Sequence, residues 1–358
     1  MFLRSIRLFN FRNHADVQYD FSERVNCIVG ENGAGKTNLI DAVYFLALTK
    51  SSIQKQDQLS VSHEEQMMVI EGNFRKEEKE ENITVSVSKG QKKAVLVDKV
   101  PYEKISHHIG KYPLVLIAPD DTDMIRDASD ARRKLFDGII AQFDQQYLKS
   151  FQQYNRLLDQ RNSLLKQFVE RNYFDQKMLD SYSEPLIVLA LEIANKRADF
   201  VKEFEPEIRK HYNELSSGKE KVSISYSTEV LEGFEANFKR NEGKDRMAQR
   251  TTMGVHKDDY IYELDGKPAK KFGSQGQKKS FVLAVRLAQF DLLEKQKGMK
   301  PLLLLDDIFD KLDDKRIEKL IEKIDNDTFG QVFITDARPE RTKRILEQVK
   351  AEVNYIEL

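Results

Sequence analysis

The chain contains 358 residues, of which 40% are hydrophobic and 33% are charged, and its formal net charge is −1. This length allows one large domain or two lobes, and the near-neutral charge excludes a uniformly basic surface without excluding a local nucleic-acid patch. The single cysteine, Cys27, excludes a disulfide framework and any multi-cysteine metal site, and no apolar run reaches the ~20 residues that cross a bilayer. We expect a reduced, cytoplasmic protein without a membrane partner.

The first hundred residues predict mixed sheet and helix. Alternating or continuous apolar patterns predict strands at Phe2–Phe11, Val25–Val29 and Ile83–Ser88, and Ala94–Val100 is strand-like. The charge run Arg75–Glu81 is typical of a solvated hairpin tip rather than of a binding site.

Between Ala128 and Leu215 glycine nearly vanishes, and leucine, glutamine and charged residues recur at helical spacing. This composition predicts a helical lobe. We expect Pro185 and Pro206 to begin or break helices, because proline removes a helical hydrogen bond. The resulting helices are too short for a long coiled coil.

Strand patterns return at Val222–Tyr226, Tyr260–Leu264, Leu302–Leu305 and Gln331–Thr335, and a helix is predicted from Lys315 to about Ile324. We therefore expect an α/β lobe that is built from both ends of the chain and interrupted by an inserted helical lobe.

A phosphate-binding loop is indicated by the pattern Gly-x4-Gly-Lys-Thr at Gly30–Thr37, between a predicted strand and a helix. Lys36 should reach the β- and γ-phosphates of a nucleotide, and the Thr37 hydroxyl should ligate Mg²⁺. The candidate nucleotide-binding residues are Gly30, Glu31, Asn32, Gly33, Ala34, Gly35, Lys36, Thr37 and Asn38.

The buried-strand pattern Leu302–Leu305 ends in Asp306 and Asp307. At the carboxyl edge of a parallel sheet these acids would meet the nucleotide. We expect Asp306 to hold Mg²⁺, directly or through water, and Asp307 to polarise the attacking water as the catalytic acid–base group beside Lys36.

A second anion site is predicted where Ser274, Gln275, Gly276 and Gln277 open a helix, with Ser274 as its N-cap. We call these four residues the signature. The segment Phe309–Asp313, after the acidic pair, matches the placement of a turn that touches a partner subunit.

These elements in this order resemble the ABC-type ATPases, and among them the SMC-like DNA-repair branch with the bacterial RecF family of recombination mediators. The matching residues run nearly end to end, and the combination is far more specific than the phosphate loop alone. They are Leu8–Asn13, Gly30–Ala42, Pro119–Asp121, Arg132–Asp137, Tyr154–Asn162, Gly254–Asp259, Ser274–Lys279, Leu305–Asp307 and Leu312–Asp314.

The resemblance implies a P-loop ATPase head of the α/β class with an inserted helical lobe, and we assign 1–120 with 245–358 to the head and 121–244 to the insertion. It implies ATP and Mg²⁺ as cofactors, nucleotide contacts from Arg12 and Asn13, and a weak, DNA-stimulated ATPase. Each ATP would lie between the phosphate loop of one copy and the signature of another, giving an ATP-dependent homodimer.

The implied partners are double-stranded DNA, single-strand/double-strand junctions and mediator proteins of the RecR and RecO type, with which the family loads the recombinase at gaps. The chain departs from the ABC pattern at two places. Asp307 stands in place of the usual glutamate, which predicts slow turnover, and Thr335–Asp336 stand in place of the switch histidine. The glutamine of the usual Q-loop has no clear position.

Four basic clusters are candidates for a sequence-independent contact with the DNA backbone, although exposed clusters are usually solvated faces. They are Lys89–Lys93, Arg132–Lys134, Lys267–Lys271 and Lys278–Lys279. A group at His256, Asp258 and Asp259 is expected to be structural or to signal near the nucleotide rather than to bind a separate metal.

Two other functions stay open. One is an ATP-switched binding module in which hydrolysis is incidental. The other is a transporter ATPase subunit, which is disfavoured because 237 residues separate Thr37 from Ser274 and because a large helical segment lies between them.

Overall fold

We describe the protein from a computed structural model. The structure describes the whole chain except for a few residues, which are Asp127, Ser217, Lys219, Lys311, Asp327, Gln348 and the side chain of Asp310.

Strands and helices are numbered along the chain. The strands are β1 Phe2–Phe11, β2 His14–Asp20, β3 Val25–Val29, β4 Met67–Lys76, β5 Lys79–Ser88, β6 Ala94–Val97, β7 Val100–Pro101, β8 Leu114–Ile117, β9 Val222–Ser227, β10 Asp259–Leu264, β11 Lys267–Pro268, β12 Leu302–Leu305, β13 Val332–Asp336 and β14 Val353–Glu357. The helices are α1 Lys36–Leu48, α2 Asp123–Arg126, α3 Ser129–Phe143, α4 Gln145–Glu170, α5 Gln176–Ser216, α6 Phe234–Arg240, α7 Glu242–Ala248, α8 Ala269–Phe272, α9 Gln275–Lys297, α10 Asp314–Asp325 and α11 Pro339–Leu346.

The chain divides into two compact units. The first unit contains Met1–Thr122 and Gln275–Leu358, and the second contains Asp123–Ser274. This grouping places residues 245–274 with the helices, whereas the limits predicted from the sequence assign them to the ATPase head. The exact domain limits stay a prediction.

Two sheets build the first unit. An antiparallel sheet has the strand order β2-β1-β4-β5-β6-β7, and a parallel sheet has the order β14-β3-β13-β12-β8. The four leucines of β12 are fully buried, as expected of a central parallel strand covered on both faces. The parallel order brings the carboxyl ends of β3, β12 and β13 to one edge, where the phosphate loop and the acidic pair lie.

One apolar core joins these two sheets, and α1 contributes to it with a face that includes Leu39, Val43 and Leu46. A buried glutamine reinforces the connection. The Gln331 side chain accepts a bond from the Leu3 N–H (2.7 Å) and donates to the Leu3 and Ser22 carbonyls (2.8 Å each). Because its amide is fully paired, this polar group can be buried without a large penalty.

The prediction that Pro185 and Pro206 begin or break helices is wrong. Helix α5 runs without interruption from Gln176 to Ser216 and contains both prolines. Each internal proline costs about 3 kcal/mol. A fully buried large apolar side chain contributes about 1.5–3 kcal/mol, and α5 buries a long row of them, so the packing outweighs both prolines. The row includes Leu179, Leu186, Ile193, Phe204, Ile208 and Leu215.

The predicted strands near residues 222 and 260 are confirmed, but they form their own antiparallel sheet with the order β11-β10-β9, inside the second unit. The strand-like stretch at 94–100 is a hairpin in which β6 and β7 are joined at Asp98 and Lys99, both with positive φ. The charged hairpin tip is confirmed, since β4 and β5 meet at Glu77 and Glu78.

Candidate functional site

The phosphate loop connects β3 to α1 and depends on glycine at two positions. Gly33 and Gly35 have φ angles of 88° and 111°, which other residues rarely adopt. A Cβ atom on Gly35 would lie 2.6 Å from the Asn13 amide nitrogen. No side chain caps the first turn of α1. Its backbone N–H groups and positive dipole end are therefore directed at the loop, as a bound phosphate requires.

Lys36 is buried within this loop, with 5% of its surface exposed. Its ammonium group donates to the carbonyl oxygens of Gly30 and Glu31, at 2.9 Å each. None of its hydrogen bonds to the described residues is to a carboxylate. The loop therefore holds a desolvated positive charge, which suits the phosphates of a nucleotide.

Thr37 and Asp306 provide a pair of oxygen ligands at the carboxyl edge of the sheet. The Thr37 hydroxyl donates to Asp306 Oδ1 at 3.1 Å, and the Thr335 hydroxyl donates to the same oxygen at 2.6 Å. Burial raises the pKa of Asp306, and the two hydroxyl bonds oppose that rise. A divalent cation bound here would favour the ionised form.

This donor set fits Mg²⁺, which takes one or two protein oxygens and completes its octahedron with water and phosphate oxygens. Among the described residues, no group of three or more histidine, cysteine, aspartate or glutamate side chains could hold a metal without such help. The site is consistent with a cation shared between the protein and a nucleotide.

Asp307 directly follows the metal-site acid and has a strained backbone, with φ of 44°. Its N–H donates to the Thr335 hydroxyl at 2.9 Å. Thr335 therefore bonds to both acids at once. In the place where a switch histidine was expected, the structure has a hydroxyl that orients Asp306 and Asp307.

Asp336 follows Thr335, and the alternation of side chains along β13 turns it to the opposite face of the sheet. Its Oδ1 accepts a bond from the Arg338 N–H at 2.7 Å, and its buried Oδ2 has no hydrogen-bond partner among the described residues. Of the two residues, it is Thr335 that the structure brings to the acidic pair.

A network from the β1–β2 turn supports the loop. Asn13 donates to the Ala34 carbonyl (3.2 Å) and accepts from Asn38 (2.7 Å), and Arg12 donates to Asn38 (2.8 Å) and to Asp41 (2.5 Å). Asp41, to which the sequence pattern assigns no role, is completely buried. An acid on the apolar face of a helix was the signal that could have found it.

Asp41 also accepts hydrogen bonds from the hydroxyls of Ser51 and Ser52, at 2.8 and 2.6 Å. The far end of α1 is held as well, because His108 Nε2 lies 2.6 Å from the Leu46 carbonyl. The helix is thus held on its side and near its C-terminal end, while its N-terminus is open to a phosphate.

The signature lies at the start of α9, which begins at Gln275. Ser274 and Gln275 are exposed, and Gly276 and Gln277 are half-buried. The first turn contains no acidic residue. The role of Ser274 as N-cap stays a prediction. In the turn predicted to touch a partner, Lys311 and the side chain of Asp310 lie outside the described residues, and Asp313 caps α10 by accepting from the Arg316 N–H (3.1 Å).

The cluster at Arg132–Lys134 is mostly internal to the second unit. Arg132 is buried and makes a bidentate pair with Asp259, at 2.7 and 2.9 Å. Arg133 donates to the Asp258 carbonyl, at 2.6 Å. Lys134 is exposed and pairs with Asp130. Two of the three cations are thus structural rather than available to DNA.

His256 and Asp258 are also held inside the second unit. His256 Nδ1 lies 2.7 Å from the Tyr154 hydroxyl, and burial lowers the pKa of His256 to about 4. Asp258 accepts from Arg197 (2.8 Å) and from the Thr228 hydroxyl (2.6 Å). These contacts occupy the groups structurally, and the described part of the chain shows no metal cluster there.

Among the described helices, none has both the length and the apolar composition that spanning a bilayer requires.

Comparison with known proteins identifies the family. The family described as RecF/RecN/SMC N terminal domain matches residues 2–354. The DNA replication and repair protein RecF of Flavobacterium johnsoniae is 43% identical over 348 residues, which cover 97% of both chains. The protein of the same description from Cytophaga hutchinsonii is 43% identical over 96% of this chain and 91% of its own.

Solved structures agree. A structure of the recombination mediator protein RecF with ATP, in the RecFOR pathway, superimposes with a TM-score of 0.87 at 28% identity and covers 94% of this chain and 92% of its own. The Smc head domain of Pyrococcus furiosus shares the fold, with a TM-score of 0.55 at 19% identity. The predicted α/β fold of an ABC-type ATPase head is confirmed, and the chain belongs to the RecF family of DNA replication and repair proteins.

Proposed function

We propose that the protein is an ATP-dependent DNA-binding repair ATPase that dimerises around ATP, binds duplex DNA at gaps or junctions and helps to load the recombinase. Each nucleotide would lie between the phosphate loop of one copy and the signature of the other. One observation carries this proposal. The phosphate loop has its lysine and its metal pair in place, whereas Ser274 and Gln275 are exposed at the start of α9, whose first turn contains no acid.

In the proposed site, Lys36 would exchange its two carbonyl partners for phosphate oxygens. Thr37 and Asp306 would hold Mg²⁺, and the hydroxyl of Thr335 would keep Asp306 in place. When bound, Mg·ATP supplies the phosphoanhydride bond and the γ-phosphate that the signature recognises. Asp307 would orient the attacking water and receive its proton on a carboxylate oxygen.

Slow turnover follows from the geometry of Asp307. Its side chain is one methylene shorter than that of glutamate. Its strained backbone and the bond from its N–H to Thr335 limit how closely the Asp307 carboxylate can approach the attacking water. Hydrolysis would then act as a reset, because loss of the γ-phosphate removes the contact that favours the dimer.

DNA would be bound through its phosphate backbone, with little sequence preference. Lys89, Lys92, Lys267 and Lys271 are exposed and stay candidates for this contact. Lys93 is a weaker candidate because it pairs with Asp57 at 2.6 Å. Affinity for duplex DNA should fall steeply between 50 and about 200 mM salt, as expected of a contact with several phosphates, and an affinity that does not change with salt would contradict this mode of binding.

Several further features stay within the proposal. They are a cytoplasmic location, DNA stimulation of the ATPase and partner mediators of the RecR and RecO type. They are supported by family membership, and by the relatives that are described as acting in DNA repair and in the RecFOR pathway.

An ATP-switched binding module without significant turnover is the alternative, favoured by the short acid at Asp307. A DNA-stimulated ATPase assay separates the two functions. The enzyme proposal fails if neither duplex DNA nor dimerisation raises turnover above the rate without DNA.

Light scattering tests the shared site. ATP should convert the wild-type monomer into a dimer, and Lys36→Ala should abolish both nucleotide binding and dimerisation. Ser274→Arg should leave ATP binding by the monomer intact but block the dimer, because the arginine side chain is larger than serine and fills the space at the signature. If Ser274→Arg dimerises normally with ATP, the shared site is wrong.

A further inference from the structure

Arg316 links the signature to the turn that follows the acidic pair. It lies in the first turn of α10, and its side chain is only 18% exposed. Its Nε donates to the Ser280 hydroxyl at 2.7 Å, and one terminal nitrogen lies 3.3 Å from the Gly276 carbonyl oxygen. The other terminal nitrogen pairs with Asp313. One side chain thus bonds to the start of α9 and to the cap of α10.

Ser280 completes this arrangement. Its hydroxyl donates to the Gly276 carbonyl at 3.2 Å while it accepts from Arg316. Gly276 is in the signature, so two side chains bond to a backbone oxygen of that motif. Such bonds fix the direction of the first turn of α9, and with it the direction of the N–H groups that no helical carbonyl can satisfy.

The charge of Arg316 is unusual for this position. A helix N-terminus favours acidic side chains, because its dipole end is positive. Around the start of α9 the structure has instead the guanidinium of Arg316 and the buried Lys278, and the first turn contains no acid. Asp313 offsets part of this charge. Arg316 and Lys278 thus bring positive charge to a helix end whose dipole favours an anion.

Asp313 connects Arg316 to the turn that follows the acidic pair. It caps α10 and lies seven positions after Asp306, at the end of the turn that leaves the metal site. A shift of that turn would therefore move Asp313, then Arg316, and through Arg316 the Gly276 carbonyl. The path runs within one chain from the acidic pair to the signature.

We propose that Arg316 is a positioning residue that couples the turn after Asp307 to the signature, so that the state of one nucleotide site controls the presentation of Ser274–Gln277 to the nucleotide of a second copy. This inference rests on the proposed shared site. It adds that the two sites of the dimer communicate through each chain's own Arg316, without direct contact between Arg316 and the nucleotide.

The test compares Arg316→Gln with Arg344→Gln, which removes the same charge from an exposed position on α11 of the same unit. Two binding steps are measured, which are the affinity of the monomer for a fluorescent ATP analogue and the dissociation constant of the dimer with ATP. We expect Arg316→Gln to keep nucleotide affinity within about twofold and to weaken the dimer by about tenfold or more, the effect of losing charge-assisted hydrogen bonds. Arg344→Gln should match the wild type in both.

Two further variants separate positioning from folding. Arg316→Lys keeps the charge but not the forked geometry, so it should restore the dimer only in part. Ser280→Ala removes the hydroxyl between Arg316 and Gly276 and should weaken the dimer less than Arg316→Gln does. If Arg316→Gln fails to fold, these two variants decide the question by the same measurements, with thermal unfolding as the check on stability.

The outcomes distinguish this inference from the function on which it rests. A wild-type protein that does not dimerise with ATP overturns both. A wild type that dimerises, with Arg316→Gln dimerising equally tightly, overturns the coupling and leaves the shared site intact. If Arg316→Gln lowers the melting temperature but leaves the dissociation constant of the dimer unchanged, Arg316 has only a structural role, and the coupling is again overturned.

Discussion

Lys36 in the phosphate loop and Arg197 in α5 are both buried cations, but their partners differ. Arg197 bonds to the carboxylates of Asp137 and Asp258, so its charge is neutralised inside the second unit. Lys36 bonds to two neutral carbonyls. A buried cation that has its own acids is part of the structure, whereas one that has only carbonyls can exchange them for an anionic ligand.

The largest expected effect tests the structural side of this comparison. Arg197→Ala should destabilise the protein by about 3–5 kcal/mol, because it leaves two carboxylates buried without their cation. Lys196→Ala, at the adjacent position, removes a half-exposed pair with Asp144 and should cost less than about 1 kcal/mol. Urea unfolding measures both changes, and equal losses would show that Arg197 is not a structural charge.

The next largest effect tests whether Lys36 is a cation that binds a ligand. Lys36→Ala should abolish detectable ATP binding, a loss of at least about a hundredfold, because its bonds to phosphate are charge-assisted, while stability should change by less than about 1 kcal/mol. Lys55→Ala, which changes an exposed lysine nearby in the sequence, is the control. Titration calorimetry gives the affinity. A large loss of stability in Lys36→Ala would place Lys36 in the same class as Arg197.

Two buried histidines, one in each unit, extend the comparison to pH. Burial lowers the pKa of His108 and of His256 to about 4. Because the unfolded pKa is about 6.5, the unfolded chain binds protons first, and the stability that each neutral ring contributes is present above about pH 6.5 and lost as pH falls towards 4. Between pH 7 and 5 each should account for a loss of about 2 kcal/mol.

Urea unfolding at several pH values measures this loss. His108→Gln should remove its share of the pH dependence, while His63→Gln should change nothing, since the His63 side chain is almost fully exposed. If His108→Gln retains the pH slope of the wild type, the pKa of His108 is not lowered.

The smallest effect concerns Thr335, whose hydroxyl joins the two acids. Thr335→Val has nearly the same shape but should reduce ATP turnover by about tenfold, because Asp306 and Asp307 each lose a hydrogen bond. Nucleotide affinity should change by no more than about threefold, and Thr335→Ser should restore turnover. Steady-state ATPase assays decide, and wild-type turnover in Thr335→Val would remove Thr335 from the site.

Local patterns in the sequence predict the first unit well. The strands Phe2–Phe11 and Val25–Val29, the helix after the phosphate loop and the buried strand before Asp306 all have the positions that periodicity and glycine spacing indicate. Each depends on neighbouring residues alone. The meeting of Thr37 with Asp306, 269 residues apart, is predictable because parallel strands place their carboxyl ends at one edge.

What could not be predicted depends on long-range packing. The two prolines of α5 are tolerated because a row of buried side chains outweighs them, and sequence alone does not show that row's partners. Likewise, Arg132 and Arg133 have the sequence pattern of a basic surface, and only the fold shows their bonds to Asp259 and to the Asp258 backbone. The role of Asp41 was missed because its partners, Arg12 and Ser51, are distant along the chain.

The continuity of α5 has a mechanical consequence. At 1.5 Å per residue, its 41 residues form a rod about 60 Å long. Pro185 and Pro206 each remove one backbone bond, those that the Ser181 and Lys202 carbonyls would otherwise accept. The rod is therefore three stiff segments joined at two compliant points, and any force along the second unit should bend it there first.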